Sequence, residues 1–514
     1  MSSVILGATQ LGVDCWPVQV ETQIIGSLKR FTIIGLPDSI LKESKDRIRC
    51  AIENTGFSFP NREVIVSLGP ADLPKRGAGF DLPIALSVLA ACGHLPKELI
   101  RKHLAFGELK LDGSINDLAG SLSAVLLGEE QQKITIIPAG YLKRQTLGSF
   151  GLTESEQVIG VSHLGQVVSY FREGKKPEPI KSKVNDDREQ SINCIGDVAG
   201  QFSAKRCLEL AAAGGHNVLM IGPPGSGKSM LAERIGSILP PLALDEKVEV
   251  SKIRESVGLI EGDNLIRPFR APHHTTSYAG LIGGGSTPSA GEISLAHRGV
   301  LFLDELPEFK KNVLETLRQP LEKKEILISR ANRQLCFPSD FTLIAAMNPC
   351  PCGYFGSRDE QDSSKPCRCE CSRQEIKRYA KRISGPLLDR IDIFIWVRPI
   401  ELKTLQKGGS GESETREIKD RVSKALSLQK DRYRSNTARN SALSGKALNE
   451  HCKLSPEAES FISKQAERYE MSSRGYVRTL RLARTIADLK GDPNVKLDYL
   501  AEAVRYRMPP ELFN

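Results

Sequence analysis

The octapeptide Gly222-Pro-Pro-Gly-Ser-Gly-Lys228-Ser229 constrains this chain more than any other stretch of its sequence. It follows the apolar run Asn217-Val-Leu-Met-Ile221, which reads as a short buried strand, and it opens a helical segment. A strand, a glycine-rich turn and a helix in that order let successive backbone N–H groups face one concavity, the geometry that cradles phosphate oxygens. Lys228 is placed to contact the β and γ oxygens of a nucleotide and Ser229 to put a hydroxyl on Mg2+, with Gly222, Pro223, Pro224, Gly225, Ser226 and Gly227 lining the cradle. ATP and Mg2+ are the expected ligands.

A second apolar run, Val300-Leu-Phe-Leu303, ends in the carboxylates Asp304 and Glu305, 75 residues beyond Ser229. An acidic pair after a strand is by itself usually a solvated loop. Following a phosphate loop, the same pair supplies what hydrolysis needs: Asp304 assists the metal through its shell, and Glu305 orients or deprotonates the attacking water. Phe341-Thr-Leu-Ile-Ala-Ala346 reads as a third buried strand, with helical segments between the three, so a parallel α/β sheet is the predicted architecture.

At 514 residues the chain is too long for one core. Residues 172–190 contain 11 charged side chains and two prolines, a composition that disfavours a packed element and marks a linker. A second polar break falls at Lys407-Gly-Gly-Ser-Gly-Glu-Ser-Glu414, and beyond residue 415 the periodicity is helical, as in Ala458 to Tyr469 and Tyr476 to Leu489. The expected organisation is a domain at 1–171, the linker, an α/β core at 191–400 with a cysteine-rich insertion at 350–371, and a helical lid at 401–514. The best uncharged apolar stretch, Leu82 to Pro96, is short and broken by Pro83 and Gly93, and the first positive side chain is Lys29, so neither a membrane span nor a secretory leader is expected. The expected location is the cytoplasm. A net charge of +9 permits a nucleic-acid partner without establishing one.

Five of the 12 cysteines crowd between Cys350 and Cys371. Cys350-Pro-Cys352 and, after fourteen residues, Cys367-Arg-Cys369-Glu-Cys371 offer enough thiolates for a tetrahedral Zn2+ site, and Gly353, Gly356 and Pro366 suit a loop folded round it. The favoured ligand set is Cys350, Cys352, Cys367 and Cys369, leaving Cys371 spare; free buried cysteines or an iron-sulfur cluster are the alternatives.

The phosphate loop and acidic pair resemble those of AAA+ ATPases, within the magnesium chelatase-like branch. That resemblance implies further roles: Asn348, after Leu343-Ile-Ala-Ala-Met347, as the sensor that polarises water against the γ-phosphate; Arg390, in Ser384-Gly-Pro-Leu-Leu-Asp-Arg390, as an arginine finger for a neighbouring subunit; and Arg474 as the second sensor of the lid. For each arginine an ordinary surface ion pair is the competing reading. Gly200-Gln-Phe-Ser-Ala-Lys-Arg-Cys-Leu-Glu-Leu-Ala-Ala-Ala-Gly-Gly-His-Asn217, Arg267-Pro-Phe-Arg-Ala-Pro-His-His-Thr-Thr276, Gly291-Glu-Ile-Ser-Leu-Ala-His297 and Asn348-Pro-Cys-Pro-Cys-Gly353 together resemble the ComM/YifB family. The likeness implies a hexameric DNA helicase that drives branch migration during natural transformation. Residues 1–171 resemble the Lon-protease-like α+β domain at the front of that family, but the positions of its catalytic serine and lysine fall on Gly79 and Leu122, which implies a non-catalytic platform.

Two stretches are candidates for DNA contact. Arg270 to Gly285 is uncharged after Arg270 and glycine-rich, with His273 and His274 facing a pore or, equally, packed in a turn. Arg474, Arg478, Arg481 and Arg484 recur at helical spacing and form one basic face, for DNA, for ATP, for a neighbouring subunit or simply for solvent. A protein-remodelling ATPase, like the motor subunit of a magnesium chelatase, is the alternative to a DNA motor.

Overall fold

The computed structural model describes residues 2–35, 38–75, 78–144, 150, 157–177, 193–260, 266–285, 288–330, 333–356, 369–406, 408–507 and 511–513. The N-terminal half is built on a mixed seven-stranded sheet of β1 (Ser2–Leu11), β2 (Asp14–Ile25), β3 (Arg30–Ile34), β4 (Glu63–Gly69), β5 (His103–Ala105), β6 (Ile134–Pro138) and β7 (Val158–Val161), in the order β3-β4-β2-β1-β5-β6-β7. In β2, Val18, Val20, Thr22 and Ile24 are buried between exposed Gln19, Glu21 and Gln23, the period of a strand with one face in a core. The buried face packs on the helix Asp81–Ala91, every residue of which is buried.

The second sheet has five parallel strands: β8 (Val218–Ile221), β9 (Phe269–Arg270), β10 (Val300–Leu303), β11 (Thr342–Met347) and β12 (Ile393–Trp396), in the order β9-β10-β11-β8-β12. Uninterrupted apolar sequence in β8 and β10 reflects burial on both faces, as a parallel sheet covered by helices requires. The α/β architecture read from the sequence is the one found. Because β8, β10 and β11 run parallel and adjacent, the residues following each of them emerge at one edge of the sheet, where ligands of open α/β folds bind.

Beyond the sheet the chain is helical, with Gly411–Tyr433, Pro456–Arg468, Ser473–Lys490 and Leu497–Arg507 sharing a core with β8 and β12. The polar run read as a break at 407–414 already contains the start of the first of these helices: Gly411 leaves a left-handed turn (φ +62°), and Glu412 and Glu414 sit favourably at the positive end of the helix dipole. Most of the charged linker at 172–190 lies outside the described residues; its first two residues close the helix Leu164–Glu173.

The arginines expected to form one basic face do not do so. Arg484 is only 1% exposed, ion-paired to Asp488 and donating to the carbonyl of Pro493 at 2.6 Å; Arg478 pairs with Asp392, and Arg481 donates to the carbonyl of Leu443 at 2.6 Å. The helix Ser473–Lys490 is the central helix of its group, so its second half is buried all round and helical spacing no longer identifies a solvent face. Arg474, at its exposed start, makes no hydrogen bond or ion pair among the described residues.

The two sheets are joined through the helix Leu244–Ser256, whose Val250 packs with Leu242 against Ala8, Phe106, Leu122 and Tyr141 of the N-terminal half. At its end the buried Glu255 carboxylate accepts the N–H of Gly120 at 2.8 Å, the N–H of Leu122 at 3.3 Å and the hydroxyl of Tyr141 at 2.7 Å. No helix among the described residues is long and apolar enough to cross a membrane.

Candidate nucleotide site

Residues 222–229 turn from β8 into the helix Lys228–Glu233 with Gly225 and Gly227 at φ +73° and +88°, conformations that glycine adopts without strain. Gly222 is required for a different reason: a Cβ there would lie 2.1 Å from the carbonyl oxygen of Val397. Lys228 is folded back into the loop, where Nζ donates to the carbonyls of Gly222 at 2.8 Å and Pro223 at 3.0 Å and to Oδ1 of Asn348 at 3.3 Å. Burial lowers its pKa against the pull of Asp304 and Glu305. Ser229 Oγ donates to Asp304 Oδ2 at 2.5 Å, and the Glu305 N–H donates to Asp304 Oδ1 at 2.9 Å.

Lys228, Ser229, Asp304, Glu305 and Asn348, drawn from the ends of three neighbouring strands, therefore meet at one edge of the sheet. The donor set suits a Mg-nucleotide. Lys228 brings one ammonium into the loop, a hydroxyl and a carboxylate already in contact are the pair that binds Mg2+ in such loops, and the buried Ser226 hydroxyl has no partner among the described residues. Gln201 was singled out in the sequence only as part of a family phrase. Its Nε2 donates to the carbonyls of Ser226 at 3.0 Å and Arg398 at 2.7 Å, tying the start of the helix Phe202–Gly214 to the phosphate loop.

Arg390 and Arg474 lie elsewhere. Both line a cavity of about 520 Å³ bounded by Asn217, Phe341 and Asp392, the residues that precede β8, β11 and β12, whereas the phosphate loop follows β8. A four-residue strand spans about 13 Å, so neither arginine reaches the phosphate loop of its own chain. Arg390 is 5% exposed and has a partner at each guanidinium nitrogen, donating to the carbonyls of Arg318 at 3.1 Å and Pro386 at 2.5 Å and pairing with Glu322.

The cysteines come together with one change of member. Cys350, Cys352, Cys369 and Cys371 have Sγ atoms within 4.8 Å of one another, so Cys371, expected to be spare, completes the group, while Cys367 lies outside the described residues. The separations of 3.3 Å (Cys350–Cys352), 3.7 Å (Cys350–Cys369) and 3.6 Å (Cys352–Cys369) approach the roughly 3.8 Å that four Zn–S bonds of about 2.3 Å impose on a tetrahedron. A closed tetrathiolate site fits this geometry.

In the N-terminal half, a Cβ on Gly79 would lie 2.6 Å from Phe106 Cε2 and 3.2 Å from Leu118 Cδ2, and the Leu122 side chain is fully buried. The family phrases prove to carry ion pairs that brace the fold. Arg267 pairs with Glu246, Arg270 forms a bidentate pair with Glu292 at 2.7 Å on both arms, and His297 lies 2.9 Å from Glu249.

Comparison with known proteins accords with this geometry. Family profiles described as magnesium chelatase subunit ChlI match residues 194–405 and 20–140, and its C-terminal part matches 412–507. The chain is 37% identical to the competence protein ComM of Haemophilus influenzae over 98% of its length and 97% of that protein's. It belongs to the ComM/YifB family of magnesium chelatase-like proteins. Within the family it is 36% identical to YifB of Escherichia coli over 98% of this chain and 97% of that one. A more distant likeness, 28% identity over 40% of each chain, links it to Lon protease 2 of Bacillus subtilis. Family membership makes the chain an ATPase of the magnesium chelatase-like AAA+ group.

Proposed function

We propose that this protein hydrolyses ATP as a subunit of a hexameric ring that translocates on single-stranded or branched DNA and drives branch migration during recombination or natural transformation. The observation that carries the ring is the division of the site between opposite edges of one sheet: Lys228, Ser229, Asp304, Glu305 and Asn348 at one, Arg390 and Arg474 at the other. Arg474, exposed and without a partner among the described residues, is free to meet a neighbour's phosphate loop, and Arg390 would do so once its pair with Glu322 opens, so turnover would depend on assembly. Lys228 would then meet the β and γ oxygens, Ser229 and Asp304 would hold Mg2+, which neutralises developing phosphate charge, Glu305 would activate the water, and Asn348 would orient it.

DNA as substrate is supported by the near full-length likeness to a protein named for competence, by the net charge of +9, and by the exposed Arg474, which has no partner among the described residues. The N-terminal half would serve as a platform without peptidase chemistry, since the positions of nucleophile and base hold Gly79 and Leu122 and Phe106 fills the space a serine would need. One structural Zn2+ on Cys350, Cys352, Cys369 and Cys371 would fix the segment that follows Asn348.

The second reading, a protein-remodelling ATPase, is favoured by the 26% identity over 30% of this chain to the magnesium-chelatase 67 kDa subunit of Chlorobaculum parvum. Displacement of a labelled strand from a forked duplex separates the two. The DNA reading predicts ATP-dependent displacement that disappears with Lys228→Ala or Glu305→Gln; ATP turnover without displacement, and requiring a partner protein, would replace it with the remodelling reading.

A further inference from the structure

We infer that Arg478 is a positioning residue that fixes Arg390 and Arg474 relative to each other, so that the two arginines are presented to a neighbouring subunit as one unit. The inference rests on the reading above in which both act on a neighbour's phosphate loop. The two come from separate elements: Arg390 precedes β12, and Arg474 lies in the first turn of the helix Ser473–Lys490. Both line one cavity, and Arg478 lines it with them.

Arg478 sits one helical turn beyond Arg474 and therefore on the same side of the helix. Its Nη1 donates to the carbonyl of Arg390 at 3.3 Å and pairs with Asp392 Oδ1. One guanidinium on the helix of Arg474 thus grips the backbone of Arg390 itself and the carboxylate two residues on. The sheet holds the other side of this joint. Asn217, just before β8, donates its side-chain amide to the Arg390 carbonyl at 2.9 Å and its backbone N–H to Asp392 Oδ2 at 3.0 Å, and His216 Nδ1 lies 3.7 Å from the same oxygen. Burial works against an ionised Asp392, which is 3% exposed, but Arg478 foremost, then His216 and the Asn217 N–H, hold its carboxyl below the usual carboxylate range. The pair is therefore charged at neutral pH.

Other contacts keep the helices on the sheet without Arg478. Thr485, about two turns further along the same helix, meets the fully buried His216 through Oγ1 and Nε2 at 2.7 Å, and Arg507 of the helix Leu497–Arg507 donates to the carbonyl of Ile391 at 2.6 Å. Ser473 and Arg474 are exposed, and the helix becomes fully buried only from Thr479 onward. Losing the Arg478 contact would leave the body of the helix packed and free the turn that carries Arg474.

The test is ATP hydrolysis by mixtures of full-length chains that include the double variant Arg478→Met/Asp392→Asn. Removing both charges leaves no buried carboxylate unpaired, and the new amide oxygen still accepts the Asn217 N–H, so the fold is kept. Alone, the double variant is expected to lose about ten-fold or more in kcat with KM for ATP within about two-fold of wild type, because its own phosphate loop is untouched while the arginines it offers are misplaced. Mixed with Lys228→Ala it should regain activity, since its phosphate loop then meets a neighbour's correctly held arginines. Mixed with Arg390→Ala it should not, since neither chain supplies both arginines in place. A wild-type kcat, or rescue by both chains, by neither, or by Arg390→Ala alone, would overturn the positioning role while Lys228→Ala and Arg390→Ala still rescue one another. If those two chains do not rescue one another, the reading in which the arginines serve a neighbour falls, and this inference with it.

Discussion

Gly353 stands directly against Pro224: a Cβ placed on it would lie 2.6 Å from Pro224 Cδ. The loop that carries Cys350 and Cys352 therefore bears on the phosphate loop, and Gly353, at φ +89°, has both a conformational and a steric reason to be glycine. Gly353→Ala should push Pro224 outward. The expected result is a raised KM for ATP and a loss of stability of about 1–3 kcal/mol, read from nucleotide titration and denaturant unfolding.

The same loop predicts a metal dependence. Purified protein should carry roughly one zinc per chain, and Cys371→Ser should lose it, because removing one of four thiolates opens a closed site. Elemental analysis of both proteins checks this. Retention of stoichiometric zinc by Cys371→Ser would return the fourth position to Cys367.

Mixing experiments address the arginines. Arg390→Ala and Lys228→Ala should each be inactive alone. If the proposed ring forms, mixed subunits should regain activity at the interfaces that pair an intact Lys228 with a neighbour's intact Arg390, since the two residues lie at opposite edges of the sheet within one chain. The ATPase rate of the mixture, measured against the ratio of the two chains, should pass through a maximum near equal proportions.

Glu255 predicts a pH dependence of stability. Burial pushes its pKa up from 4.5 to about 7, against the hydrogen bonds from Tyr141, Leu122 and Gly120 that favour the anion. A raised native pKa means that the folded chain keeps a proton the unfolded chain has lost. The stabilisation is complete below about pH 4.5 and is lost as pH rises through about 7. Glu255→Gln keeps the shape and removes the titration, so relative to this variant the wild type should lose about 3 kcal/mol between pH 4 and pH 8, measured by unfolding at each pH.

What the sequence disclosed follows from where the determinants lie. Strands such as Val218–Ile221 and Val300–Leu303 are buried on both faces, so they are written as unbroken apolar runs, and the groups at their ends are legible with them. Arg484 was misread because helical spacing places four arginines on one side of a helix but cannot reveal that the helix is enclosed. Cys371 joins the described cluster while Cys367 lies outside the described residues, because three cysteines in five residues leave the choice of ligands to the fold of the loop. The Glu255 contact joins residues 135 positions apart, and the contact of Arg478 with the Arg390 carbonyl joins residues 88 apart; neither leaves a pattern in the sequence.

The most direct test of the central claim is ATP hydrolysis by the full chain with and without single-stranded and forked DNA, with Lys228→Ala as the blank. Turnover that DNA stimulates and that falls by at least about 100-fold in Lys228→Ala is the predicted result. Turnover indifferent to DNA, or surviving in Lys228→Ala, would contradict a DNA-dependent motor driven from this site.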